Sequence, residues 1–162
     1  MIIVNRIELS SEQRGPLKTD DRVAIDCFQA CRNRLAVKSE VGLQLFIDLN
    51  KDVYLEDGCC LVCENGQRVL AFRPKEPAFR LGFSDAFDDE KREEMYFAIG
   101  HQLGNLHLPS EIVDGVILGP SVTGRDSIIR VAEAFSGLLN LSFLDTQLGL
   151  CRPLFGIRGG HR

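Results

Sequence analysis

The chain has 162 residues, of which 44% are hydrophobic and 26% charged, with a mean hydropathy of −0.02. This is the composition of a soluble globular protein of one domain or two small ones. A formal charge of −4, a pI of about 5.4 and the lack of a long basic block leave no electrostatic footprint for nucleic acid. The apolar runs fall well short of a membrane span, and "MIIVNRIELSSEQR" lacks the apolar core and cleavage site of a secretory signal. The expectation is a cytoplasmic protein with neither a membrane nor a nucleic-acid partner.

In chain order, the first half reads as β. "RVAIDCFQA", "LAVKSEVGLQLFIDL" and "VYLEDGCCLVCENGQRVLAFRP" are rich in Val, Ile, Leu and Phe with stretches of period two. Asp20-Asp21, Asp57-Gly58 and Asn65-Gly66 punctuate them, and Asn65-Gly66 predicts a two-residue hairpin. "RPKEP", Arg73 to Pro77, reads as a stiff connector and places a domain boundary there.

The second half alternates. "AFRLGF" predicts a short strand and "DDEKREEMYFAIGHQL" a helix of about fifteen residues, stopped by Gly104-Asn105 in a C-cap and by Pro109 beyond it. Acidic residues in its first turns suit the positive end of the helix dipole. "SEIVDGVILGP" predicts a hairpin turning at Asp114-Gly115. "RDSIIRVAEAFSGLL" predicts a second helix with Asp126 as N-cap and Ile128, Ile129, Ala132, Phe135 and Leu139 at helical spacing. "NLSFLDT" predicts a last strand. The order β-α-β-β-α-β is that of a ferredoxin-like unit. The expected fold class is therefore α+β: an all-β domain over 1–74, a ferredoxin-like domain over 75–146, and a glycine-rich flexible tail over 147–162.

The six cysteines, without a secretory signal, argue for reduced thiols. On strands, Cys27 and Cys31 would share a face, as would Cys59 and Cys63, with Cys60 pointing away. A zinc knuckle needs a turn between its thiolates, whereas Leu61-Val62 favours a strand, so buried cysteines acting as small hydrophobes are the expectation and a thiolate site the alternative.

Met95, Tyr96, Phe97, Ala98 and Ile99 are consecutive and non-polar. One sheet covers one face of a helix, so Phe97, with Tyr96 as a further candidate, is expected on a partner surface, and a second copy of the chain is the commonest such partner. His101 follows Phe97 by four and shares its outer face, while His107 stands just past the helix end. Read locally, both are polar residues suited to the negative end of a helix. Imidazole also suits nickel, copper and zinc, but useful affinity takes about three or four donors. A two-fold seam eases that shortage by presenting two copies of His107 to one ion. Since the neutral ring is the ligand and free imidazole titrates near 6.5, affinity is expected to fall below about pH 6.5.

The segment "GHQLGNLHLP", the stretch "LFIDLNKDVYLEDGCCLVCENGQRVLAFRPKEP" and the domain order together resemble the urease accessory protein E (UreE) family of nickel metallochaperones, from about Arg22 to about Asp145. The resemblance implies a β domain likened to peptide-binding domains of chaperones and a C-terminal domain that dimerises. It implies that His107 is the metal ligand at the dimer interface, with His161 in the tail as a mobile third ligand and His101 as a further candidate. Ni(II), with Zn(II) and Cu(II) accepted in vitro, would be passed through the accessory GTPase to the urease apoprotein complex, and the protein would not be an enzyme. The chain departs from the family pattern at Leu106, where arginine is common, at Gln102, where histidine is common, and in a tail holding only "GGHR".

Two other readings compete. A pure protein-interaction module would leave the histidines structural. An acylphosphatase-type hydrolase could recruit Asn105 and Arg125, but the loop that would cradle phosphate, "GFSDAFDDE", is acidic and hostile to it.

Overall fold

The computed structural model describes residues 1–8, 20–49, 53–85 and 87–149. The chain divides into two compact units, one built on Met1–Pro74 and the other on Lys75–Leu150. The class is mixed α+β, β-rich at the N-terminus.

The first unit holds strands β1 (Ile2–Glu8), β2 (Arg22–Ala24), β3 (Arg34–Lys38), β4 (Gln44–Asp48), β5 (Cys60–Cys63) and β6 (Arg68–Phe72). They form one sheet in the order β2-β6-β5-β1-β4-β3, with β1 parallel to β4 and β2 parallel to β6. The Glu40 N–H donates to the Arg22 carbonyl at 2.8 Å and the Arg22 guanidinium pairs with Glu40 at 3.1 Å, tying the two ends of this nearly closed sheet together. Alternation drives it: in β3, Leu35 and Val37 are buried between exposed neighbours, and in β4 Leu45 and Ile47 are fully buried.

Two expectations for this unit need correction. Cys27 and Cys31 do not share a strand face. The Asp26 carboxylate accepts the Phe28 and Gln29 N–H groups at 2.9 and 2.7 Å, and this cap turns residues 27–31 out of the sheet, leaving Cys27 buried and Cys31 exposed. The β5–β6 hairpin exists, but its last bond runs from the Cys63 N–H to the Gln67 carbonyl at 2.9 Å, which leaves a loop of three residues, Glu64, Asn65 and Gly66. The Gly66 N–H closes a turn on the Cys63 carbonyl at 2.9 Å, and Gly66 at φ 82° then supplies the left-handed residue that such a loop requires.

Beyond β6, Arg73 is only 6% exposed. Its N–H donates to Asp57 Oδ1 and its guanidinium to the Tyr54 hydroxyl, each at 2.7 Å. The expected connector is shortened from both ends, because Glu76 and Pro77 already belong to β7 (Glu76–Phe83).

The second unit continues with a short 3-10 turn (Asp89–Lys91), α1 (Arg92–Asn105), β8 (Glu111–Val113), β9 (Val116–Pro120), α2 (Arg125–Ala134) and β10 (Leu139–Thr146). Its sheet is antiparallel in the order β10-β7-β9-β8. Both helices bury one stripe, Ile99 and Leu103 from α1 and Ile128 and Val131 from α2, against Phe79, Leu81 and Ile117 of the sheet. The β8–β9 turn has φ 49° at Asp114 and 75° at Gly115, the double left-handed pair that a two-residue hairpin needs.

Here too the structure departs from expectation. Asp126 is not the N-cap of α2: Gly124, at φ 78°, occupies that position, and Asp126 lies in the first turn. Leu139 belongs to β10 rather than to the helix, because the chain reverses at Gly137, φ 80°. The half-buried Tyr96 is tied to the β8–β9 turn, its hydroxyl donating to the Gly115 carbonyl at 2.9 Å. The tail is not loose over its first residues. Leu148 is 1% exposed, and the Gly149 N–H donates to Glu111 Oε1 at 2.6 Å.

Candidate metal centre

Helix α1 ends at Asn105, within the predicted stop, but the left-handed residue beyond its end is His107, at φ 54°, rather than a glycine. The His107 N–H donates to the Gly104 carbonyl at 3.0 Å and the Leu108 N–H reaches back to the Leu103 carbonyl at 2.9 Å. This pair of bonds is a Schellman motif, completed by the contact it favours between Leu103 and Leu108, both buried in the helix–sheet core. The position usually holds glycine, because a Cβ there crowds the following carbonyl. A histidine in its place stores strain and stands exposed just past the end of the helix.

His101 is also exposed. Its ring lies 6.4 Å from that of Phe97 at an interplanar angle of 24°, and Phe97 is 78% exposed, so the two share the outer face of α1 as the spacing predicts. Asn105 Nδ2 sits 3.3 Å from His101 Nδ1. An ion bound through Nδ1 would therefore have to displace this contact with Asn105. His161 lies outside the described residues. Among the described residues, no group of three His, Cys, Asp or Glu side chains is placed to hold an ion.

Three thiols of the first unit are chemically quiet. Cys59, Cys60 and Cys63 are buried, with Cys59 and Cys63 in the hydrophobic core. Burial, then the neighbouring Cys60 and Glu56, push the Cys59 thiol up to about 12. Burial also raises Cys60 and Cys63. Thiolates are the metal-binding form, so these sulfurs act as small hydrophobes near neutral pH. Since the folded state holds the Cys59 proton more tightly than the unfolded chain does, its contribution to stability is complete below about pH 8.5 and is lost as pH rises toward 12. Urea denaturation between pH 8 and 11 will show this decline, and Cys59→Ala will flatten it.

The residues that an acylphosphatase would need are engaged elsewhere. The Arg125 guanidinium lies 4.0 Å from the centroid of the Phe143 ring, and Asn105 faces His101.

The candidate site is therefore an exposed, strained histidine just past the first helix of a two-helix α+β unit that follows a β-rich unit. Residues 3–71 match the family described as UreE urease accessory protein, N-terminal domain. The urease accessory protein UreE of Chelativorans sp. (strain BNC1) is 28% identical over 110 residues, covering 68% of this chain and 63% of that protein. That of Rhodopseudomonas palustris (strain BisB18) is 29% identical over 111 residues, covering 68% of this chain and 49% of that protein. That of Bradyrhizobium sp. (strain ORS 278) is 29% identical over 93 residues, 57% of this chain and 41% of that protein. The N-terminal unit is thus similar to the N-terminal domain of UreE urease accessory proteins, and much of the chain is similar to the UreE proteins of these organisms. The matches span between about two fifths and just under two thirds of these relatives' length.

Proposed function

We propose that the protein is a cytoplasmic nickel metallochaperone that acts in urease maturation, binds Ni(II) as cargo through His107, and is not itself an enzyme. The observation that carries this reading is the exposed His107 imidazole, held at φ 54° by a helix end anchored in the core. A strained side chain at a solvent-facing helix terminus is a feature that stability alone would replace by glycine. The observed order of strands and helices in the second unit supports reading it as a ferredoxin-like domain that dimerises. The 78% exposed Phe97 supports α1 as part of the seam.

A symmetric pair of His107 rings gives two nitrogen donors and leaves the remaining positions for water, His161 of the tail, or a recipient. Such a site holds its ion loosely enough to give it up, which suits transfer to the accessory GTPase and the urease apoprotein complex. Zn(II) and Cu(II) would compete in vitro, because imidazole accepts them as readily.

The role is tested in urease-positive cells lacking the endogenous protein and grown at limiting nickel. The wild-type chain is expected to restore urease activity, and His107→Ala to leave it near the level of the deletion. Equal restoration by both would refute the role of His107.

A further inference from the structure

The residues just after β10 make a contact that neither the sheet pairing nor the helix–sheet core requires. Strand β10 ends at Thr146, opposite Glu76, on one edge of the second sheet, and β8, which begins at Glu111, forms the other edge. Three residues beyond Thr146, the Gly149 N–H donates to Glu111 Oε1 at 2.6 Å. Three strand spacings, about 14 Å, separate the two edges, and three residues extend about 10 Å. Residues 147–149 therefore run nearly straight toward β8, and the Glu111 side chain closes the remaining distance. Leu148, in the middle of this strap, is 1% exposed. A backbone N–H donating to a carboxylate is a charge-assisted hydrogen bond, one of the stronger kind. The carboxylate lies so close that a Cβ on residue 149 would stand 2.8 Å from Glu111 Oε2, so a larger residue there would push it away.

Glu111 is four residues beyond His107. The loop between them is seated on the sheet, where a Cβ on Gly119 would stand 2.5 Å from the Pro109 carbonyl oxygen. Gly149 is thus held within about 20 Å of His107, counting at most about 14 Å of backbone to Glu111 and about 6 Å across its side chain. From Gly149, His161 is twelve residues along the sequence, a reach of at most about 40 Å. Without the Glu111 contact, the last point fixed by the sheet is Thr146, on the opposite edge. The effective concentration of a tethered group falls steeply as the span grows against the length of chain that must cover it.

We propose that Glu111 is a positioning residue for the metal site. It roots the segment after Gly149 beside the His107 loop, so that the His161 imidazole meets the ion at high effective concentration. This rests on the nickel reading of His107 and adds to it a residue that acts through the tail rather than on the ion.

Nickel affinity of the full chain, measured by calorimetry, tests the rooting in Glu111→Ala, Gly149→Ala and His161→Ala, each checked for a cooperative melting transition. Gly149→Ala reaches the same contact from the other side and leaves β8 untouched. Each variant is expected to weaken nickel binding by on the order of ten-fold, and Glu111→Gln, which keeps an oxygen for the Gly149 N–H, by less. Glu111→Ala combined with His161→Ala is expected to bind no more weakly than His161→Ala alone. A Glu111 that merely steadies β8 would weaken binding further in that background, and this result would overturn the proposal. Wild-type affinity in Glu111→Ala or in His161→Ala would overturn it too. His107→Ala separates the two readings. Loss of the ion there, with wild-type affinity in Glu111→Ala, refutes the rooting alone, whereas retention of the ion in His107→Ala refutes the nickel site and the rooting with it.

Discussion

Replacing His107 by glycine is expected to make the protein more stable and unable to carry nickel. The left-handed backbone at φ 54° costs a residue with a Cβ about 1–2 kcal/mol. Glycine removes that strain but loses about 0.5–1 kcal/mol more chain entropy on folding. The His107 side chain is exposed, so little packing is lost with it. The net gain is roughly 0.5–1 kcal/mol, visible as a raised urea midpoint with an unchanged slope. His107→Val moves the other way, because a β-branched residue tolerates this conformation poorly. Both variants lose the imidazole, so nickel affinity drops in each by on the order of 100-fold or more. That separation matters, since a merely structural histidine would tie the two readouts together. A gain in stability with retained nickel binding would show that His107 is not the ligand.

Gly119→Ala is expected to be among the most damaging single-atom additions in the second unit. A Cβ at Gly119 would stand 2.5 Å from Phe79 Cε1 and 2.5 Å from the Pro109 carbonyl oxygen. Phe79 is fully buried at the centre of the helix–sheet core and Pro109 is backbone, so neither is a flexible side chain that can swing aside. Overpacking of this kind costs about 1–3 kcal/mol, and contact on two sides places Gly119 at the upper end. The variant should lower the melting temperature by about 2–4 °C for each kcal/mol lost. Pro109 lies two residues after His107, so whatever shift relieves the clash displaces the loop that presents the imidazole. Nickel affinity should fall along with stability, whereas a Gly66→Ala control, whose Cβ meets nothing within 4 Å but whose φ is 82°, should lose stability alone.

How far the sequence carried depended on whether the signal was local. Period-two alternation showed β3, β4 and β6, and the Asp114-Gly115 pair located the β8–β9 turn. Strand β1 was not legible as such: its register on β5 shifts between Val4 and Arg6, which breaks the alternation, and its parallel pairing with β4 is non-local. Residues 27–31 read as strand from their apolar content, because one Asp26 side chain capping two backbone N–H groups is a weak signal beside them. The end of α1 was placed at Gly104-Asn105 on the usual preference for glycine. The helix does end at Asn105, but its left-handed residue is His107, which the family resemblance had already marked. The two histidines on α1 and just past its end were thus legible as residues, but the backbone strain at one and the Asn105 contact at the other were not.

The central claim is that an imidazole from each of two chains meets on one ion, and native mass spectrometry of the protein titrated with Ni(II) tests it most directly. The account predicts a dimer carrying one nickel per two chains, with that ion lost in His107→Ala while the variant stays folded. A nickel-loaded monomer, or a His107→Ala protein that binds the same ion equally well, would contradict it.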